Sequence, residues 1–147
     1  MPVNPEFVGR VYPPSAPYVV SAAKITEFAE AVGATDPVHT DREVAVARGY
    51  RDVIAPPTFA VLIAQRAEMA FIFDPEAGID FGRVVHGEET FVHHRPLTAG
   101  DEIVGVLTVD SVKAAGGHTM IVTRTELSSG AEPVATVFST VVVRGGE

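Results

Sequence analysis

The chain has 147 residues, a formal net charge of −8, 46% hydrophobic residues and no cysteine. One domain of that length buries about two thirds of its unfolded surface, enough for a core without covalent staples. The missing thiols exclude disulfide scaffolds, thiolate zinc sites, iron–sulfur clusters and a cysteine nucleophile, and the acidic balance argues against a nucleic-acid partner.

The N-terminal MPVNPEFVGR has neither a basic start nor an apolar stretch, so a cytoplasmic protein is expected. Prolines 2, 5, 13, 14 and 17 predict an extended lead-in. Tyr18-Val19-Val20 reads as a short strand. Ser21 then has the character of an N-cap. Ile25, Phe28, Ala29 and Val32 follow at helical spacing, and Gly33 closes the helix. Residues 34–41 hold turn formers without periodicity and read as a loop. Asp41 or Thr40 can cap a short helix through Ala47, ended by Gly49. Ile54-Ala55-Pro56-Pro57 is a rigid turn, with Pro57 near the first position of the next helix. That helix, Thr58–Phe73, is apolar on nearly every face, which predicts burial all round. Gln65, Arg66 and Glu68 interrupt it, so no membrane insertion is expected.

After Asp74-Pro75 the pattern changes. Val84–Arg95, Glu102–Val112, Thr119–Leu127 and Val134–Arg144 are long and rich in β-branched residues, with Gly-rich turns between the last three. Helices segregated from antiparallel strands predict an α+β domain spanning 1–147. A curved sheet wrapped around one apolar helix is the hot-dog fold. Its open edges and partly covered helix predict packing as a double hot-dog dimer.

Several segments together resemble the MaoC-like hot-dog dehydratases and hydratases of (3R)-hydroxyacyl thioesters. More narrowly, they resemble the N-terminal-type actinobacterial subunit of a fatty-acid-synthase dehydratase. The segments are Phe28–Gly33, Thr35-Asp36-Pro37-Val38-His39, Ile54–Phe59, and His86-Gly87-Glu88-Glu89 leading to His94-Arg95-Pro96-Leu97-Thr98-Ala99-Gly100-Asp101. The family's hydration loop reads Asp-x-Asn-Pro-x-His. Laid on this chain, its histidine is His39, its proline Pro37, its asparagine position Asp36 and its aspartate position Ala34. Catalytic members carry an Ile-Ala-His-Gly-like turn where this chain has Ile54-Ala55-Pro56-Pro57, and Pro57 has no N–H for a thioester oxygen. Both departures point to a chain that lines a substrate channel while a partner does the chemistry.

Dehydration of a 3-hydroxyacyl thioester needs a base for the α-proton, an acid for the leaving hydroxyl and donors at the thioester oxygen. The resemblance implies His39 as that base, with Asp36 a substitute for the lost carboxylate, and Pro57, Thr58 and Phe59 as substrate-binding residues. Asp36 reads equally as an Asx-turn before Pro37. His93 and His94, adjacent on a predicted strand, point to opposite faces, so no metal site is expected. His86, Glu88 and Glu89 read as a solvated face, and His118 as an exposed turn residue. Lys24, Arg42, Arg48, Arg51 and Arg66 are scattered; ordinary surface charge and contact with carrier phosphates are both open.

No cofactor is implied. The implied partners are an acyl-CoA or acyl-carrier-protein thioester, and a second hot-dog subunit in a homodimer or heterodimer. The alternatives are a self-sufficient hydratase using His39, a hot-dog thioesterase using Asp36 or Glu68, and a non-catalytic acyl-thioester-binding protein.

Overall fold

Residues 3–146 are described by the computed structural model of the chain; Pro2 of the lead-in lies outside them. Asn4 caps a single 3-10 turn, Pro5–Phe7, by accepting from the Glu6 N–H. The lead-in then runs extended beside residues 105–109, where Tyr12 and Ser15 donate their N–H groups to the Leu107 and Gly105 carbonyls.

Strand β1 (Tyr18–Val19) leads into helix α1 (Ala22–Val32). The Ser21 hydroxyl accepts from the Lys24 N–H at 3.1 Å, and Gly33 ends the helix at φ 71°. Ile25 and Ala29 are buried, whereas Val32 is 52% exposed. The apolar stripe is thus one turn shorter than its spacing predicts, because the last turn runs past the core. Asp41 caps α2 (Arg42–Ala47) by accepting from the N–H groups of Glu43 and Val44. Pro57–Phe59 form a 3-10 turn, so the long helix α3 (Ala60–Ile72) begins two residues later than Thr58.

Four long strands follow: β2 (Val84–His93), β3 (Glu102–Ala115), β4 (His118–Ser129) and β5 (Glu132–Val143). They form one antiparallel sheet with β1, in the order β1-β3-β4-β5-β2. Gly116 and Gly117, at φ 58° and 82°, supply the positive dihedrals of a tight β3–β4 hairpin. β2 crosses to the far edge and pairs with β5, from Val84 opposite Val143 to His93 opposite Ala135. Register shifts beside Gly87 and Asp110 bend the sheet.

The concave face packs on α3, burying Ile63, Ala64, Ala67, Phe71 and Ile72. Gly105 permits the approach: a Cβ there would lie 3.2 Å from Leu127 and 3.4 Å from Ala67. Enclosure of α3 on every side does not occur. One five-stranded sheet covers one side of a helix, and Met69 (38% exposed) and Phe73 (59% exposed) stay on the other.

The loop between β2 and β3 is fastened by one buried carboxylate. Asp101 accepts from the Thr98 N–H (2.8 Å), twice from Arg95 (2.7 and 3.1 Å) and from Arg51 (3.0 Å). Burial pushes its carboxyl up, but these donors outweigh burial and hold it below the usual aspartate range. A depressed folded-state pKa contributes stability above the unfolded value of about 4 and loses it as pH falls through the folded value. Asp101→Asn is therefore expected to cost about 3 kcal/mol near neutral pH. In thermal melts, its gap to the parent closes below about pH 4; a gap independent of pH would refute the ionic origin.

Candidate active site

The site is built around one peptide group. The Ile54 N–H donates to the Val38 carbonyl at 3.3 Å, and the Ile54 carbonyl accepts from His39 Nδ1 at 2.7 Å. On the other side, Ala55 N–H donates to Leu97 O at 2.8 Å and Ala99 N–H to Val53 O at 3.0 Å. Segment 53–55 thereby stitches the His39 loop to the Asp101-fastened loop. A carbonyl only accepts, so Nδ1 carries the proton of the neutral imidazole and Nε2 is left as acceptor. His39 is 8% exposed and lines a cleft of about 560 Å³ together with Asp36, Tyr50, Pro57, His93 and His94.

Asp36 makes no hydrogen bond to the His39 ring. Its Oδ1 accepts from the Val38 N–H at 3.0 Å, the predicted Asx-turn, and both oxygens accept from Arg48 Nη1 at 2.8 and 2.9 Å. The Val38 N–H first, and Arg48 next, hold this carboxyl below the usual range. Ala34 lies in the C-terminal cap of α1, its N–H bonded to Ala29 O at 2.8 Å. Among the described residues lining the cleft, Asp36 is the sole carboxylate, and it is already engaged.

Of the Pro57-Thr58-Phe59 segment, Pro57 lines the cleft, and its carbonyl accepts from His93 Nε2 at 2.8 Å. Thr58 is exposed and outside the lining, while Phe59 is fully buried, edge-on to Tyr18 and Phe28. His93 and His94 both line the cleft, against the alternation predicted for a continuous strand. β2 ends at His93 and the chain bends at His94, so the two-residue period stops there. Pro96, which cannot continue a paired strand, was the available signal.

The remaining candidates lie elsewhere. Glu68 is on the buried face of α3 and lines a second cavity. The solvated-face reading fails for Glu89: the bulge beside Gly87 turns it inward, where it accepts from Ser139 Oγ at 2.6 Å. His118 is exposed and accepts from the Gly145 N–H. Arg42, Arg48 and Arg51 are each paired with a carboxylate, Asp52, Asp36 and Asp101 respectively.

Sheet, central helix and loop-borne histidine define a MaoC-like hot-dog protein of the dehydratase and hydratase class. Residues 6–137 match the family model described as the FAS1-like dehydratase domain region, and the chain belongs to that family. A UPF0336 protein of Saccharopolyspora erythraea is 49% identical over 99% of this chain and 94% of its own length. A second, of Leifsonia xyli, is 47% identical over 100% of this chain and 99% of its own. Among solved structures, the HadBC (3R)-hydroxyacyl-ACP dehydratase complex of Mycobacterium tuberculosis superimposes with TM-score 0.83 at 28% identity. The match covers 92% of this chain and 96% of that one. A MaoC-like dehydratase superimposes with TM-score 0.87 at 31% identity, covering 95% of this chain but 43% of the longer one. No helix among the described residues is long and apolar enough to cross a membrane.

The Ile54 carbonyl predicts a single tautomer for His39. Nitrogen-15 spectra of the neutral ring are expected to show Nδ1 protonated and Nε2 bare. A mixture of tautomers, or protonated Nε2, would contradict the 2.7 Å bond.

Proposed function

We propose that the chain is the substrate-lining subunit of a (3R)-hydroxyacyl-thioester dehydratase, acting in acyl metabolism beside a second, MaoC-like hot-dog subunit. The reaction takes a proton from the carbon next to the thioester carbonyl and expels the 3-hydroxyl as water, leaving a double bond between the two carbons. It needs a base, an acid and donors at the thioester oxygen. His39 with a bare Nε2 can serve as one proton carrier.

The observation that carries the subunit reading is the state of Asp36. Its oxygens are taken by Arg48 and the Val38 N–H, and Ala34 has no carboxylate to offer. Pro57 supplies no N–H at the turn that would polarise the thioester. His39 without a free carboxylate is an incomplete acid–base set, and the partner subunit supplies a complete aspartate–histidine pair. The likeness to the HadBC complex supports this division of labour. The substrate is an acyl chain on coenzyme A or on a carrier protein.

A hydration assay with trans-2-enoyl thioesters tests the reading. The purified chain alone is expected to give no turnover, and turnover is expected when a MaoC-like subunit with a complete aspartate–histidine pair is added. Turnover by the chain alone that falls about 10²–10⁴-fold in His39→Ala would replace the proposal with a self-sufficient hydratase. Release of free thiol would mark a thioesterase instead.

A further inference from the structure

Three segments far apart in sequence meet at the end of β2 remote from His93: the turn before β2, the β3–β4 hairpin and the residues after β5. The Arg144 N–H donates to the Arg83 carbonyl at 2.9 Å, and Arg83 Nη1 donates to the Gly145 carbonyl at 3.0 Å. The Gly145 N–H donates to His118 Nδ1 at 3.0 Å. A Cβ on Gly145 would collide with the Gly117 carbonyl oxygen, so glycine is what lets this segment lie so close to the hairpin. β2 spans ten residues, about 30 Å, between this junction and His93, and the junction shares no lining residue with the His39 cleft.

The junction forms a cavity of about 560 Å³ lined by Asp80, Gly82, Arg83, His118, Arg144 and Gly145. Asp80 is the sole carboxylate in that lining, and both its oxygens are engaged. Oδ1 accepts from the Gly82 N–H at 3.0 Å, and Oδ2 lies 3.4 Å from Arg83 Nε. Arg83 Nη2 has no hydrogen-bond partner among the described residues. Arg144 is exposed and pairs with no carboxylate among them. At His118 a backbone N–H can only donate, so Nδ1 accepts and the neutral ring carries its proton on Nε2. Two guanidiniums and an imidazole N–H thus face one aspartate that is already paired, on a chain whose net charge is −8.

That lining narrows the occupant. No apolar side chain is present for an apolar guest to bury against. A cation would meet two guanidiniums. A carboxylate offers two oxygens in one plane, whereas a phosphate offers oxygens to three sides at once and suits the guanidinium fork. We infer that this cavity binds a phosphate group, which accepts from Arg83, Arg144 and His118. The group is free phosphate or the phosphate of a larger molecule, and the site stands whether or not His39 takes part in dehydration.

Amide and ring NMR of the purified chain at low ionic strength tests it, with inorganic phosphate, coenzyme A and malonate as probes. Phosphate is expected to shift the Gly82 and Gly145 amides and the His118 ring saturably, with a Kd at least about five-fold below that of malonate. Arg144→Gln, at an exposed side chain without an ion pair, should raise that Kd about ten-fold. Lys24→Gln removes the same charge from α1 and should leave it unchanged. A lower Kd for coenzyme A at these amides assigns the phosphate to a larger molecule; an equal or higher one assigns it to free phosphate. Absence of shifts, malonate binding as tightly as phosphate, or equal weakening by Lys24→Gln and Arg144→Gln would each overturn the inference.

Discussion

The Ile54 peptide is the constraint on which the cleft depends. It uses its N–H on Val38 and its carbonyl on His39, so both ends of one amide hold the same loop. Neighbouring Val53 and Ala55 bond the opposite loop, which Asp101 fastens from within. The 3-10 turn Pro37–His39, three residues long, could not hold an imidazole in one orientation alone. Backbone groups of a buried segment can, because leaving them unpaired would cost free energy. The same bond decides the histidine's chemistry, since a carbonyl accepts and never donates.

The short loop also accounts for what is missing. Asp36 precedes Pro37 and turns back onto the Val38 N–H, the local bond such a residue makes most readily. Arg48, brought round by α2, completes its partners. A carboxylate with those donors is a poor proton carrier, whatever its nearness in sequence to His39. The departure at Ala34 and the departure at Pro57 thus act in one direction, leaving a cleft lined by His39 with its one carboxylate engaged and no N–H at Pro57.

The helix–sheet interface is divided along its length. Near the His39 end it is apolar, with Phe59, Ile63, Leu97, Leu127 and Val137. At the middle the row Glu89–Ser139–Thr123 passes under Glu68, and beyond it Phe7, Phe71, Leu107 and Ile121 close a second apolar cluster. A polar band between two apolar clusters would weaken a purely structural core.

Periodicity and punctuation in the sequence determined most of the fold: the Ser21 and Gly33 caps of α1, the Asp41 cap of α2, the long apolar helix after Pro57 and four strands with glycine turns. These are local effects, set by residues within a few positions of one another. The resemblance carried by the loop and turn motifs brought His39 forward and exposed Ala34 and Pro57 as departures. Tertiary structure alone decided the rest. Whether Asp36 serves His39 or Arg48 depends on where α2 brings Arg48. Phe59 went to the core and His94 to the cleft because a 3-10 turn and a strand end break the periods on which a sequence reading relies. The bulge beside Gly87 turned Glu89 inward, and strands distant in sequence brought Ser139 to it and Thr123 to Glu68. One sheet could cover one face of α3, so the other stayed open. Apart from the strand end that Pro96 signals, these outcomes rest on contacts between residues far apart in the chain, whose geometry no local pattern encodes.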